Sequence, residues 1–182
     1  KGFYRVKYDE GILLDLKMLV DEKRLPPIDR WAVQNDLFSL CVSGDEQVRN
    51  YLDFSDAYFD EDSYLASVNV AHNLASLYFR AFDEKFVEEI RSYAINYFRK
   101  IFSNLGWEPK KSDKHTDALL RTFAIAVLGK MNDETVTDEA IKKYKKFLKS
   151  PRSLSPDLIE TICSIAAWNG NSKTFAELKK LY

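Results

Sequence analysis

The stretch "DEKFVEEIRSYAINYFRKIFSNLG", residues 83–106, decides the fold class. Its large apolar side chains recur every three or four residues, at Phe86, Ile90, Tyr93, Tyr97, Ile101 and Leu105. This spacing places them on one face of an α-helix, because an α-helix has 3.6 residues per turn. The helix is predicted to begin at Asp83 and to end at Gly106, since glycine commonly terminates helices.

The same helical spacing covers most of the chain on both sides of this stretch. Further helices are predicted within residues 12–20, 29–44, 45–59, 63–82, 116–130, 137–150, 155–170 and 171–182. Helix pairs beginning near Ser112 and Ser155 are offset by roughly the 40–47 residues of HEAT and armadillo units. The prediction is therefore an all-α fold, a right-handed solenoid of helical hairpins, whose concave face is the usual binding surface of such arrays.

The first residues are the exception to this helical pattern. In residues 3–8, Phe3, Arg5 and Lys7 alternate with Tyr4, Val6 and Tyr8, which is the period of a half-buried β-strand. No second strand is predicted that could pair with it, and an unpaired strand leaves backbone groups without partners. We therefore expect an orphan N-terminal strand within residues 1–10 that belongs to a larger protein.

The composition limits the partners that the chain could bind. It has 27 basic and 28 acidic residues and a formal net charge of -1, which gives no reason to expect nucleic acid or a membrane as partner. The 46% of hydrophobic residues is ample for a packed core.

Cys41 and Cys163 are predicted to be buried free thiols, which favours a cytoplasmic location.

The sequence contains no recognisable catalytic or metal-binding motif. Only two histidines occur, His72 and His115, more than forty positions apart, and neither has a neighbouring ligand at metal-binding spacing. His72 is predicted to be a hydrogen-bonded histidine of the core or of a groove. There is no glycine-rich phosphate loop, nucleophile elbow or HExxH motif. We expect no catalytic residue, no metal and no cofactor in this chain, which is therefore not an enzyme by itself.

Arg121 is the single candidate binding residue, because it is the one charge between Ala118 and Leu128. Arginine is rarely buried without a partner. Two explanations compete: an intrahelical ion pair with Asp117, four residues earlier, or a guanidinium that points into a water-filled concavity and binds a carboxylate of a ligand.

Several motifs resemble the C-terminal part of M1-family zinc aminopeptidases. The segment "GFYRVKYD", residues 2–9, resembles the last strand of that family's β-sandwich domain. The segment "IDRWAVQNDLFSLCVSG", residues 28–44, resembles the helix that opens the family's C-terminal domain, although Trp31 stands where a small residue is usual. The segment "LGWEPKKSDKHTDALLRTFAIAV", residues 105–127, resembles a Leu-Gly-Trp motif followed by a Leu-Arg helix. The segment "NDLFSLCVSG", residues 35–44, and the compact spacing are most similar to the archaeal tricorn-interacting-factor branch of the family.

The resemblance implies two domains and a role in peptide hydrolysis. Residues 1–10 would be the terminal strand of a β-sandwich domain, and residues 11–182 a helical repeat domain truncated on its C-terminal side. The parent enzyme would remove N-terminal residues from peptides with zinc, and this non-catalytic domain would close over the active site and hold the distal end of substrates. Its partners would be the catalytic and β-sandwich domains and the peptides, with Arg121 as the contact residue. The alternative is a stand-alone helical-repeat adaptor that binds a protein on its concave face.

Overall fold

The computed structural model describes residues 4–181 and confirms the all-α prediction. No β-strand occurs among these residues. Within residues 4–181 there are nine α-helices: α1 (Glu10–Asp21), α2 (Pro27–Ser43), α3 (Val48–Ser55), α4 (Tyr64–Arg80), α5 (Val87–Leu105), α6 (His115–Lys130), α7 (Glu134–Lys149), α8 (Pro156–Asn169) and α9 (Ser172–Leu178). Two short 3-10 turns, Asp56–Tyr58 and Pro151–Ser153, join neighbouring helices.

The start of α2 corrects the sequence prediction. The helix begins at Pro27, with Pro26 as its N-cap residue, and not at Asp29. Proline at the first helical position loses no hydrogen bond, because the first amides of a helix have no partner within it. Asp29 lies in the first turn, where the helix dipole favours a negative charge. The predicted end of α2 is confirmed, since Gly44 has a φ of 83° and closes the helix in the left-handed conformation.

The start of α5 also differs from the prediction. The helix begins at Val87, because residues 81–86 form turns in which the Glu84 amide donates to the Ala81 carbonyl and the Val87 amide to the Glu84 carbonyl. Because the apolar spacing continues through Phe86, the sequence gives no sign that residues 81–86 form turns and not helix. The predicted end is confirmed at Gly106, which has a φ of 66°.

The N-terminal segment is held by side chains and not by a second strand. Residues 4–9 form neither helix nor strand, so the predicted strand is not confirmed, and Phe3 lies outside the described residues. Arg5 donates to Asp36 Oδ1 at 2.9 Å, and the Val6 amide donates to Asp36 Oδ2 at 3.3 Å. A carboxylate of α2 therefore accepts a backbone bond that a neighbouring strand would otherwise provide.

The chain divides into two compact units, Lys1–Ala94 and Ile95–Tyr182, with the division inside α5. In the first unit, α2 packs against α3 and α4, and α1 packs against α3 and the 3-10 turn that follows it. Its core combines aliphatic side chains with a few large aromatic ones. The largest fully buried residues of this unit are Tyr51, Phe54, Tyr58 and Leu74.

In the second unit, α6, α7 and α8 pack against one another, and α9 packs against α8. The α6–α8 contact is close, because a methyl group at Gly129 would lie only 2.5 Å from Ile165 Cγ1. Every residue of α6 after Leu119 is at least partly buried, as its apolar sequence predicts. The right-handed solenoid arrangement stays a prediction.

Two minor predictions are corrected by side-chain burial. Cys41 and Cys163 are free thiols, as predicted, but they are half-buried and not fully buried. Burial raises the pKa of the Cys41 thiol to about 11, so this thiol is protonated at neutral pH. His72 is exposed on α4, and its Nδ1 lies 2.9 Å from the Val68 carbonyl oxygen.

Candidate functional site

Arg121 lies in the second turn of α6, and its side chain is 2% exposed. The apolar residues of α6 on either side require burial of this helix, and the guanidinium is buried with them. A buried guanidinium is costly unless its donors are hydrogen-bonded and its charge is paired. The contacts of Arg121 meet both conditions.

The guanidinium of Arg121 binds the segment that joins α5 to α6. Its Nη2 donates to Asp113 Oδ2 in a short charge-assisted bond. Its Nε and Nη2 also donate to the Leu105 carbonyl oxygen, at 3.4 and 3.3 Å. Leu105 ends α5, so its carbonyl has no partner within the helix and is free to accept.

The intrahelical pair between Arg121 and Asp117 does not form. The carboxylate of Asp117 instead accepts the backbone N–H of Lys114 at 2.8 Å. This contact is the second half of a capping box, in which a residue of the first turn binds the N-cap amide. The predicted ion pair with Asp117 is therefore wrong, and the carboxylate that pairs with Arg121 is Asp113.

Asp113 connects Arg121 to the tip of the loop. Its Oδ2 accepts the Lys110 amide at 2.8 Å, and its own amide donates to the Lys110 carbonyl at 3.0 Å, which closes a turn over residues 110–113. The backbone N–H of Lys110, followed by the Arg121 guanidinium, holds the pKa of the Asp113 carboxyl below its ordinary value of 3.8. Asp113 is therefore charged throughout the neutral range.

The first half of the loop is fixed by aromatic and ionic contacts. The Trp107 ring packs edge-on against Phe102 of α5, with 5.5 Å between ring centroids. Lys143 of α7 lies over the same indole, with its Nζ 5.3 Å from the ring centroid, and pairs with Glu108 at 3.0 Å. With the Arg121 and Asp113 contacts, residues 106–114 form a loop with a defined conformation, called the α5–α6 loop below.

This loop is the segment that carries the Leu-Gly-Trp motif, and the helix after it carries Arg121. The whole chain, residues 1–182, matches the family model described as the ERAP1-like C-terminal domain. The chain belongs to this family.

Individual relatives agree with this assignment. The chain is 27% identical to "Aminopeptidase M1-A" of Oryza sativa subsp. japonica, over 86% of this chain and 18% of that protein. It is 21% identical to "Puromycin-sensitive aminopeptidase" of Caenorhabditis elegans, over 99% of this chain and 19% of that protein. It is 27% identical to "Tricorn protease-interacting factor F2" of Thermoplasma acidophilum, over 82% of this chain and 18% of that protein.

The chain is therefore a C-terminal domain of the M1 aminopeptidase kind, which confirms the resemblance. It spans less than a fifth of the length of these relatives. They come from a plant, an animal and an archaeon, so the archaeal branch stays a prediction.

The zinc site of an M1 aminopeptidase has no counterpart in the described part of this domain. Within residues 4–181, no three histidine, cysteine, aspartate or glutamate side chains are grouped so that they could hold a metal ion. His72 and His115 are both exposed, on α4 and at the first residue of α6. These residues do not fit a zinc centre, and no chemical step is assigned to them.

None of the helices within residues 4–181 combines the length and the apolar character needed to cross a bilayer.

Sequence analysis missed Asp113 and the Leu105 carbonyl as partners of Arg121. The signal for Asp113 was present but weak, because it lies in a charged loop and eight residues separate it from Arg121. A stronger signal was the place of Asp117 in the first turn of α6, where a carboxylate commonly binds the N-cap amide. That role occupies Asp117 and leaves Asp113 as the carboxylate for Arg121. The predicted role of Arg121 in substrate binding stays a prediction.

Proposed function

We propose that this chain is the access-controlling domain of a zinc aminopeptidase that removes N-terminal residues from peptides. The observation that carries the proposal is the family match over all 182 residues. A concave array of helix pairs is suited to enclose a substrate, because its curvature provides an extended binding surface. In this role the domain closes over the active site and excludes folded proteins, and it holds the distal end of the peptide.

The chemistry is proposed to occur in another domain of the full-length protein. Zinc would be bound there by an HExxH motif with a downstream glutamate, and would activate a water molecule for attack on the first peptide bond. The partners of this chain are then the catalytic and β-sandwich domains and the peptide substrates, in the cytoplasm. The stand-alone adaptor is the weaker alternative, since two of the three relatives named above are aminopeptidases.

Arg121 is proposed to contribute to holding the distal end of the peptide. Its guanidinium is suited to a carboxylate, because the planar fork can donate two parallel hydrogen bonds. In the structure this fork is occupied by Asp113 and the Leu105 carbonyl. A direct contact with substrate would therefore require the ligand to displace Asp113.

Zinc content and turnover of two purified proteins test this function. The full-length protein is expected to bind one zinc ion and to release the N-terminal residue of peptides. The 182-residue chain is expected to do neither, because it lacks a clustered ligand set among its described residues. A full-length protein without aminopeptidase activity in the presence of zinc would contradict the proposal and favour the adaptor.

A further inference from the structure

We propose that the junction of Asn169 and Gly170, at the end of α8, is a site of spontaneous chemical modification, at which deamidation of Asn169 loosens α8 from α6. Asn169 is the one asparagine of the chain that is followed by glycine. The co-reactant that the reaction requires is water. The modification goes beyond the proposed function, because it depends on the chemistry of this chain alone.

The reaction has two steps. In the first step, the backbone nitrogen of Gly170 attacks the side-chain carbonyl carbon of Asn169, Cγ. A bond between this nitrogen and Cγ forms, and the bond between Cγ and Nδ2 breaks. Ammonia leaves with the proton of the Gly170 amide, so that a five-membered cyclic imide remains. In the second step, water opens the imide at either of its carbonyls and leaves an aspartate or an isoaspartate, and no electron is gained or lost.

Gly170 presents the attacking nitrogen without protection. It is exposed, and its backbone is extended, with a φ of -91° and a ψ of -170°. Its N–H donates to no acceptor within residues 4–181, whereas the amides of Gly44 and Gly106, which also follow helices, bind preceding carbonyls. Glycine adds no side chain that would hinder the approach to Cγ of Asn169. Hydroxide can therefore remove the Gly170 amide proton, and this loss is what the attack requires.

The fold itself requires this reactive pair of residues. The Nδ2 of Asn169 donates to the Gly129 carbonyl oxygen at 3.1 Å and to the Ile165 carbonyl oxygen at 3.0 Å. Gly129 lies in the last turn of α6, where carbonyls have no partner within the helix, so Asn169 joins α8 to the end of α6. A methyl group at Gly170 would lie 2.4 Å from the Ala166 carbonyl oxygen, which excludes larger residues there.

Deamidation converts the two contacts of Asn169 from attraction to repulsion. A carboxylate oxygen replaces the amide nitrogen, has no proton to donate, and faces the carbonyl oxygens of Gly129 and Ile165. Both carbonyls lie near the C-terminal ends of their helices, where the helix dipole disfavours a negative charge. The lost contact lies beside the close approach of Gly129 to Ile165. An isoaspartate would also lengthen the backbone by one carbon at the end of α8.

The same two hydrogen bonds control the rate of the reaction in the folded chain. While Nδ2 of Asn169 is bound to both carbonyls, Cγ has to rotate toward the Gly170 nitrogen before it is attacked. The reaction therefore follows local opening at the end of α8. Each reaction then makes that opening permanent.

Incubation of the full-length protein at mildly alkaline pH, followed by peptide mapping with mass spectrometry, tests the reaction. A free peptide with the sequence of residues 164–175 is the unfolded reference. Asn169→Gln keeps a side-chain amide and slows the reaction strongly, since the ring that glutamine would form is six-membered. Asn169→Asp reproduces the charge of the product. Hydrogen exchange of residues 165–178 measures the structural consequence.

Asn171→Asp is the matched control for the added charge. Asn171 is the N-cap residue of α9, and its Oδ1 accepts the Lys173 amide at 3.0 Å and the Thr174 amide at 3.3 Å. A carboxylate oxygen can accept the same two bonds. The same substitution two residues away should therefore leave the fold unchanged.

The proposal expects aspartate and isoaspartate to accumulate at Asn169 before any other asparagine of this chain reacts, at a rate below that of the free peptide. The rate should rise with pH, because the attack requires loss of the Gly170 amide proton. Aged wild-type protein and fresh Asn169→Asp should show exchange about ten- to a hundredfold faster, the worth of the lost hydrogen bonds. Asn171→Asp should exchange like fresh wild-type protein, and Asn169→Gln should not change on ageing.

Two results would overturn the proposal. If Asn169 is intact after many half-lives of the free peptide, the folded chain is not modified at this site. If Asn169→Asp exchanges as slowly as Asn171→Asp, the modification has no effect on the contact between α6 and α8.

Discussion

Arg30 and Glu61 form a buried two-point ion pair, in which Nε donates to Oε2 at 2.7 Å and Nη2 donates to Oε1 at 2.6 Å. The two side chains are 4% and 1% exposed. The Leu25 carbonyl accepts a further bond from Arg30 Nη1 at 2.7 Å, and the Tyr58 hydroxyl donates to the Arg30 carbonyl oxygen at 2.6 Å. The pair ties α2 to the segment that precedes α4.

Replacing Glu61 with glutamine should lower the free energy of unfolding by about 3–5 kcal/mol, because the Arg30 charge stays buried without its main partner. Urea denaturation of the 182-residue chain measures this change. Asp62→Asn is the matched control, since Asp62 also binds Arg30, at 2.9 Å, but is 66% exposed. Its loss should cost less than about 1 kcal/mol. Equal effects of the two substitutions would contradict this account of the pair.

The close approach of α6 and α8 at Gly129 predicts a second stability effect. Gly129→Ala should destabilise the chain by roughly 1–3 kcal/mol, because the added methyl group overlaps Ile165. This cost should exceed the gain of about 1 kcal/mol that alanine brings to a helix interior. In a double-mutant cycle, Ile165→Ala should remove most of the penalty, since the overlapping atoms are then absent. Additive effects of the two substitutions would show that the contact is not the cause.

The anchoring of the N-terminal segment by Asp36 predicts a local effect. Asp36→Asn should speed hydrogen exchange of residues 4–9 and change the free energy of unfolding by no more than about 1 kcal/mol, because the Arg5 side chain is 37% exposed. Asp45→Asn is a suitable control, since Lys7 binds the backbone oxygen of Asp45 and not its carboxylate. Unchanged exchange in Asp36→Asn would mean that other contacts fix this segment.

Asp113 predicts a pH dependence of the α5–α6 loop. Its pKa in the folded chain is lowered, first by the Lys110 amide and then by Arg121. Its contribution is therefore complete above its ordinary value of 3.8 and is lost as the pH falls below that value through the lowered folded pKa. Exchange of residues 106–114, measured by NMR, should accelerate in this acidic window. The Asp113→Asn variant should lack this acceleration, and an identical pH profile would assign it to another group.

Sequence periodicity predicted the helices well because most of them are amphipathic, and Gly44 and Gly106 gave two of their ends. The periodicity gave a wrong prediction where the backbone conformation does not follow the spacing of apolar residues. The apolar spacing continues through Phe86 although the helix begins after it, and residues 4–9 alternate without forming a strand.

The candidate site could be located from the sequence but not described. A single charge in the apolar stretch identified Arg121 as a residue that needs a partner. The partner depends on how the loop folds back over α6, a tertiary arrangement that residue spacing does not encode. The four-residue spacing favoured Asp117, whereas the amide of Lys114 binds that carboxylate.

The trimming of a flexible N-terminal tail attached to a stably folded domain tests the access-controlling role most directly. The products of the full-length protein are identified by mass spectrometry over time, with the same substrate in unfolded form as the control. An enclosed active site predicts that trimming of the folded substrate stops with part of the tail left, because the fold cannot pass the helical domain. The unfolded form should be trimmed beyond that point. Removal of the whole tail up to the first residue of the fold, at the rate seen for the unfolded form, would contradict the account.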